Sequence, residues 1–546
     1  MNISDSSQGP SAAVIDFMED PDSYAHHPDR VEHIQTHISH VFIAGSYVYK
    51  IKKAVNFEFL DFSTLEKRKF YCQREVELNR RLCEDIYLGV IAIARKTADT
   101  FILESEDGED VIEYAVKMKR LEEEYFLTSF IDQGALQLRM MDRVANKLST
   151  FYNKQEPKED ILKWGAIEKV RFNTDENFSQ TESFIGKTID ENSFKAIRKY
   201  TNRYYDLFSF LFKQRIDEKR IVDGHGDLHL EHIHITPDRV RIYDCIEFND
   251  RFRYGDTAAD LAYLAMDLDF TNSRKEERYF LEKMTQKLND PDLLIHIDFY
   301  KCYRAYVKGK VKSMQASEEE VGEEEREKAR LKARSYFNLS LRYALLGSRP
   351  TVLVFMGRIA TGKSTLARSL SSRINIEYCS SDRIRKSLKG LPLDERTDVL
   401  QREELYSQSM TKKVYNKLSE KAREYLASQN SVILDATYSK EENRKRLIDQ
   451  LYTLNMDATF YFIETQAPDE LITERLKERE RKEGVISDAR LDDFEKIDQK
   501  YQAPQELSPH NLIEIDTSQS LEGALDELYQ KLIKSNLNKV DIALNN

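Results

Sequence analysis

The rhythm of apolar and polar residues changes along this chain, and the changes divide it. Over the first 120 residues or so it is mostly that of strands, with one clear helix. HVFIAG and YVYKIKK read as two strands joined by a turn at Gly45-Ser46, and VIEYAVKMKRL reads as a further strand. Between them, LEKRKFYCQREVELNRRL has helical periodicity. From about residue 125 to about 345 the pattern is mainly helical, interrupted by the strand-like stretch IVDGHGDLHLEHIHITPDRVRIYDCIEF. Within it, SEEEVGEEEREKARLKAR (Ser317 to Arg334) turns from acidic to basic, as a helix dipole favours, and Gly322 weakens its first part. A solvated helix or its flanking loop is expected there. YFNLSLRYALL keeps helical spacing until Gly347-Ser348-Arg349-Pro350 breaks it, and the main boundary is placed at that break. Beyond it strands and helices alternate: TVLVFMG, then the helical KSTLARSLSSRI, then the strands SVILDATY and ATFYFIET. Such alternation predicts a parallel sheet.

Composition narrows the class. The 546 residues allow three or four compact units, and 40 % apolar with 33 % charged residues excludes a disordered chain, a collagen-like fibre and a disulfide scaffold. No internal repeat is visible. There is no apolar run of about 18 residues, so no membrane span is expected. The N-terminal MNISDSSQGPSAAVIDFMEDPDS lacks the basic and apolar regions of a secretory signal. A net charge of −12 argues against a general nucleic-acid coat protein, while a local basic groove stays open. Cys72, Cys83, Cys245, Cys302 and Cys379 are scattered and form no CxxC pair, which points to a reducing, cytoplasmic setting without a cysteine zinc site.

The sharpest motif is Gly357-Arg358-Ile359-Ala360-Thr361-Gly362-Lys363-Ser364, a full GxxxxGK[ST] after an apolar run and before a helical one. Backbone N–H groups of such a loop and of the following helix start bind phosphate oxygens. Lys363 then reaches the terminal phosphates, Ser364 can ligate Mg2+, and Thr365 follows beside it. Asp435 ends the apolar run SVILD, where an Asp can hold the Mg2+ shell. Asp382, in CSSDRIRKSLKG after a short strand, can accept a proton from a substrate hydroxyl. Arg475 and Arg479, four apart in ERLKERERKEG, share a helix face and are candidates for a lid over ATP. From Arg349 to about Leu507 the chain resembles the P-loop small-molecule and polynucleotide kinases, including gluconate kinases, zeta-toxin-like kinases and 5'-hydroxyl polynucleotide kinases. The resemblance is carried by GRIATGKSTLA, SSDRIRKSLKG, VILDATY and ERLKERE…SDA. It implies transfer of the ATP γ-phosphate to a hydroxyl group.

A second ATP chemistry stands upstream. HGDLHLEHIHI carries Asp227, and Asp244 follows in RIYDCIEF. In the kinase arrangement the first Asp takes the hydroxyl proton and the second holds Mg2+. Lys50 fills the place of the phosphate-binding strand lysine and Glu75 that of its helix partner. Lys52 lies on the same strand face as Lys50, and Glu77 is an alternative to Glu75. VKMKRL would supply the hinge that meets adenine. This ordered set resembles the aminoglycoside phosphotransferase and protein-kinase-like fold. The whole chain resembles the bifunctional aminoglycoside phosphotransferase/ATP-binding protein family, on HISHVFIAGSYVYKIKK, FLDFSTLEKRKFYCQREVELNRRL, YDCIEFNDRFRYGDTAADLAYLAMDLD and YKCYRAYVKGKV. The implied architecture is an α+β bilobal kinase-like domain over 20–346, with an N-lobe at about 20–122 and a C-lobe at about 123–346. It is followed over 347–546 by an α/β P-loop domain with a parallel sheet flanked by helices.

The chain departs from the kinase pattern in two places. The pattern places Asn, a second metal ligand, five residues after the catalytic Asp, and here that residue is His232. There is also no Gly-rich phosphate loop beyond Gly45-Ser46. Slow phosphorylation, another metal, or nucleotide binding without turnover would each fit. His225, His229, His232 and His234 crowd ten residues; a loop motif with its exit strand explains them more simply than a transition-metal site. The expected activity is ATP- and Mg2+-dependent phosphoryl transfer to a hydroxyl, most simply of a small molecule, with the P-loop domain as the more secure catalyst. Two alternatives stand beside it. One is a nucleotide-sensing regulator whose N-terminal pseudokinase modulates the P-loop domain. The other is a 5'-hydroxyl nucleic-acid kinase in which Arg383, Arg385 and Lys386 contact a phosphate.

Overall fold

The structure is a computed structural model that describes residues 10–481 and 501–545, apart from 58, 98–99, 106–107, 157, 319–320, 394–403 and 454–457. The SDA triplet at 487–489 lies outside the described residues. The chain forms two compact units, each built from two stretches: Met1–Arg171 with Phe210–Leu294, and Phe172–Ser209 with Ile295–Asn546.

The first unit opens with helix α1 (Ala12–Glu19), whose Ser11 cap accepts from the Val14 N–H. Strands β1 (Val31–Gln35), β2 (Ser39–Ala44) and β3 (Tyr47–Lys52) follow, then helix α2 (Leu65–Arg80) and strands β4 (Tyr87–Thr97), β5 (Thr100–Ser105) and β6 (Val111–Lys119). The six strands form one antiparallel sheet in the order β1-β2-β3-β6-β4-β5. Gly45, at φ 61, lies in the left-handed region that lets β2 and β3 join through two residues. The two-residue strand period sorts side chains between two helices. Phe42, Tyr49, Ile51, Ile93 and Ala115 pack with Val14 and Met18 of α1, whereas Ala92, Tyr114 and Val116 pack with Cys72 and Val76 of α2. Lys50 and Lys52 alternate with the first set and face α2. Thr64 caps α2, and the buried stripe of this helix runs through Arg68, Cys72, Glu75 and Asn79. That spacing of four, three and four is helical, but three of the four residues are polar. Arg68 meets both oxygens of Glu113 at 2.9 and 3.0 Å, which fixes the helix to β6.

The rest of the first unit is largely helical. Its elements are α3 (Leu138–Asn153), the end of α4 (Glu191–Asp217), the short strands β7 (Ile221–Asp223), β8 (Ile233–Ile235), β9 (Val240–Ile242) and β10 (Tyr254–Asp256), and helices α5 (Thr257–Phe270) and α6 (Arg274–Leu288). The strands pair antiparallel as β8 with β9 and β7 with β10. The stretch that reads as strand in the sequence is therefore one hairpin, β8 with β9, preceded by β7, whose partner β10 lies beyond the stretch. Buried Arg215 of α4 lies 2.7 Å from both Asp256 of β10 and Asp290, just past α6. Residues 191–209 of α4 belong to the second unit and 210–217 to the first, and the backbone leaves helical geometry at Phe208 (φ −123, ψ 26).

The second unit takes in α7 (Leu293–Gln315) and α8 (Glu323–Leu346), then an α/β array. The array consists of β11 (Thr351–Met356), α9 (Lys363–Ile374), β12 (Glu377–Ser380), α10 (Ser381–Leu388), α11 (Gln408–Ala427), β13 (Val432–Asp435), α12 (Glu441–Tyr452), β14 (Thr459–Gln466), α13 (Asp469–Arg481), β15 (Leu512–Asp516) and α14 (Leu521–Asn545). The sheet order is β12-β13-β11-β14-β15 and every pairing is parallel, as the alternation predicts. All six residues of β11 are buried, as a central strand covered on both faces requires. The chain break at Gly347–Pro350 is present, with Gly347 at φ 75 and no room for a Cβ against Asp298. It falls inside this unit, however, because helical residues upstream of it are bound to the α/β array. Arg373 of α9 meets Asp190 at 2.8 Å, and Asn536 of α14 donates to the Tyr343 and Ala344 carbonyls of α8 at 2.9 and 3.2 Å. The acidic-to-basic stretch begins its helix at Glu323, with Gly322 as the cap. All five cysteines are free thiols. Among the described residues no helix is long and apolar enough to cross a membrane.

Candidate functional site

Each unit gathers its own set of chemically capable residues. In the second unit the set lies at the carboxyl end of β11, where open parallel sheets place their ligands. The loop from Gly357 to Gly362 leaves that strand and enters α9. Gly357 sits at φ 132, and a Cβ there would come within 2.6 Å of the Thr465 carbonyl oxygen. Gly362, at φ 89, forms the helix cap, and Ala360 holds a left-handed φ of 57 without being glycine. The Thr361 hydroxyl donates to the Arg358 carbonyl at 2.9 Å, and the Lys363 ammonium donates to the same oxygen at 2.5 Å. Thr517, just after β15, places its hydroxyl 2.5 Å from the Thr361 carbonyl. Arg475 donates to the Thr517 carbonyl at 2.5 Å and reaches the Ala360 carbonyl at 3.4 Å. Arg475 and Arg479 share α13 and border the same cavity: Arg475 braces the loop, while Arg479 lies within electrostatic reach of Asp382 and Asp435.

Asp435 ends β13 beside β11, in register with Phe355, and is buried. Its carboxylate accepts from the Tyr378 hydroxyl at 2.5 Å. Burial first, then Asp435, pushes that phenol up, while hydrogen bonds with Ser380 and Ser364 pull it down. Tyr378 thus touches the two groups proposed for metal ligation. Burial brings Lys363 down to about 8; Asp435 and Asp382 oppose the fall and Arg479 adds to it. Arg479 is itself lowered by burial, against Asp382 and Asp435. Lys363, Asp382, Asp435 and Arg479 therefore lie within electrostatic reach of one another, and Tyr378 ties Ser364 to Asp435. Beside them a cavity of about 260 Å3 is bordered by Gly362, Thr365, Arg475, Thr517, Gln519 and Leu521. Arg385 and Lys386, both buried, donate to the Leu405 and Leu393 carbonyls at 2.7 and 3.1 Å, so of the three basic residues considered near Asp382 only Arg383 is exposed.

In the first unit α2 and β3 bring Lys50, Lys52 and Glu75 together. Lys50 lies 3.0 Å from Glu75 and 2.8 Å from Asp244. Lys52 lies 2.7 Å from the other Glu75 oxygen and also pairs with Glu247. Both lysines therefore reach the glutamate, and Asp244 meets Lys50. Glu77 is exposed on the far side of the helix. Burial opposes ionisation of Asp244, but Lys50 and His232 hold its carboxyl well below the usual range. The loop carrying Asp227 is pinned by Asp260, whose carboxylate accepts from the His225 and Gly226 N–H groups at 2.7 and 2.9 Å. Gly226, at φ 84, has the Phe252 carbonyl 2.9 Å from where a Cβ would stand. His229 Nε2 is 3.3 Å from Asp227 Oδ2, and His232 Nε2 is 3.5 Å from Asp244 Oδ2. Burial lowers His232 to about 4, with His229 adding to the fall, so its imidazole is neutral near pH 7.

Thr517, Tyr378, Asp260 and Glu247 were not found by sequence reasoning. Glu247 and Asp260 lie in a segment that carries the resemblance but has no role spelled out by its pattern, and each of the four joins its site through a contact distant in sequence.

A family model described as an AAA domain matches residues 352–504, which covers the loop, Asp382, Asp435 and both arginines. Over 412 residues the chain is 30 % identical to the uncharacterized protein Rv2004c of Mycobacterium tuberculosis, covering 75 % of this chain and 79 % of that protein. A gluconokinase structure from Sinorhizobium meliloti is 17 % identical over 35 % of this chain and 95 % of its own, with a TM-score of 0.26. A choline kinase structure from Cryptosporidium parvum is 10 % identical over 57 % of this chain and 88 % of its own, with a TM-score of 0.37.

Proposed function

The chain belongs to the family of Rv2004c, its own kinase-like region precedes a P-loop domain, and from that premise we propose that it is an ATP-dependent phosphotransferase with a hydroxyl group as acceptor. The observation that carries the reading is the Gly357–Ser364 loop, held between a fully buried central strand and a helix start, with Asp382, Asp435 and Arg479 within electrostatic reach of its Lys363. The loop amides and the Lys363 ammonium would hold the phosphate chain and stabilise charge on the transferring group. Arg479 would add a second cation there. The cavity beside Arg475 and Thr517 is the place for the nucleoside. Asp382 would take the acceptor's proton.

The Ser364 hydroxyl and the Asp435 carboxylate are hard oxygen donors, bridged in the structure by Tyr378, and they suit Mg2+. They would hold it, and bound there it supplies charge neutralisation at the β- and γ-phosphates. Tyr378 would keep the Asp435 carboxylate aimed. In the first unit Lys50, Glu75, Asp227 and Asp244 support a second nucleotide site. His232 favours a variant of this reading in which that unit binds nucleotide as a sensor.

The test is transfer from γ-labelled ATP to sugars, nucleosides, aminoglycosides and 5'-hydroxyl oligonucleotides by the intact chain, by Lys363→Ala and by Asp227→Asn. Lys363→Ala is expected to lower the main transfer by at least about a hundredfold. Transfer at the unaltered rate in that variant would remove the P-loop assignment. Any second transfer that falls with Asp227→Asn belongs to the first unit.

A further inference from the structure

The donors around Asp227 do not suit the metal expected there. The His232 Nδ1 atom lies 2.9 Å from the Asp227 carbonyl oxygen, which only accepts, so Nδ1 carries the proton. The ring nitrogen left to bind a cation is then Nε2, which points at Asp244 Oδ2 from 3.5 Å. Two electron-pair donors facing each other without a hydrogen between them are stabilised by a shared cation. The other Asp244 oxygen is taken by Lys50. His229 Nε2 lies 3.3 Å from Asp227 Oδ2, and the His229 and His232 rings are within 3.9 Å of each other, centre to centre. Asp227, His229 and His232 each offer a ligand atom, all within 4.8 Å of one another. Donors sharing one ion through bonds of about 2.0–2.2 Å stand roughly 3–3.6 Å apart, which these two pairs match. Both imidazoles are buried.

We propose that Asp227, His229, His232 and Asp244 form a site for a divalent transition-metal ion of the Mn2+, Co2+ or Zn2+ kind, in preference to Mg2+. Mg2+ requires near-octahedral oxygen coordination, whereas imidazole nitrogen suits the later first-row ions. The departure at His232 then changes which metal is held, with the remaining residues of the set kept. The proposal deepens the reading of the first unit as a second nucleotide site, although its donor geometry stands without nucleotide.

The experiment uses the intact, chelator-treated chain without ATP. Co2+ titration followed by visible absorption is expected to give a saturable ligand-field band that survives about a tenfold excess of Mg2+. Pulsed EPR of the Mn2+ form is expected to show coupling to imidazole nitrogen. His232→Asn should weaken Co2+ by at least about tenfold and move preference toward Mg2+. The unaltered protein is decisive whether or not that variant folds: equal Co2+ and Mg2+ affinities, or bound Mn2+ with no nitrogen coupling, overturn the proposal. Uptake of a fluorescent ATP analogue by Lys363→Ala tests the nucleotide reading separately. Nitrogen-ligated metal without that uptake removes only the second nucleotide site, and uptake without nitrogen-ligated metal removes only the metal site.

Discussion

Lys363 is a buried ammonium whose own loop supplies the oxygen it donates to. Burial favours its neutral form and sets its pKa at about 8, against 10.5 for an unburied lysine. Between about 8 and 10.5 the unfolded chain holds the proton more tightly, so this residue's cost to the fold is full below about 8 and is relieved as pH rises toward 10.5. A triphosphate brought against Lys363 would restore its proton. We therefore expect ATP binding at pH 8.5 to take up roughly three quarters of a proton, and almost none at pH 7. Calorimetry in buffers of different ionisation enthalpy measures the uptake. Lys363→Arg should abolish it, and identical apparent enthalpies across buffers at pH 8.5 would count against the low pKa. At this scale the sequence was legible where chemistry is contiguous, as from Gly357 to Ser364. Thr517 was not legible because it meets Thr361 across 156 positions, and nothing in LIEIDTSQ marks it.

Helix α2 shows what an amphipathic pattern hides. Its stripe was readable as helical, but the stripe is polar and only the facing strands explain why. Arg68 is paired with Glu113 on β6, and both are buried. Losing one partner strands a charge. Arg68→Met is therefore expected to cost about 3–5 kcal/mol, while Arg68→Met combined with Glu113→Leu costs much less. Chemical denaturation followed by a probe in the first unit checks this, and a double variant as unstable as the single one would show that the pair is not what matters. Glu75 is the same device put to use, since one carboxylate serves both Lys50 and Lys52. The sequence left the choice between the two lysines open for a sound reason. They point the same way, and only Asp244 and Glu247, brought in from the other side of the site, tell them apart.

At the scale of the whole chain, the break at Gly347 was visible but is not where one compact unit ends. Leu341, Ala344, Leu345 and Leu346 are almost wholly buried, and α14 binds the end of α8 through Asn536. A fragment of residues 347–546 exposes what α8 covers. It is expected to melt at least about 5 °C below a fragment of residues 295–546, since each kcal/mol moves a domain of this size by about 2–4 °C. Equal melting points would mean that the upstream helices add nothing. Periodicity could not show this, because it marks where a helix stops and not what its apolar face covers. The interleaving also bears on biosynthesis. The ribosome finishes residues 172–209 before making the 85 residues from 210 to 294 that complete the first unit, and only then supplies the remainder of the second. At about 5–20 residues per second, the early piece waits roughly 4–17 s with Phe178 and Phe194 lacking the neighbours that will bury them. The nascent polypeptide therefore has a defined interval in which a holding chaperone would be useful.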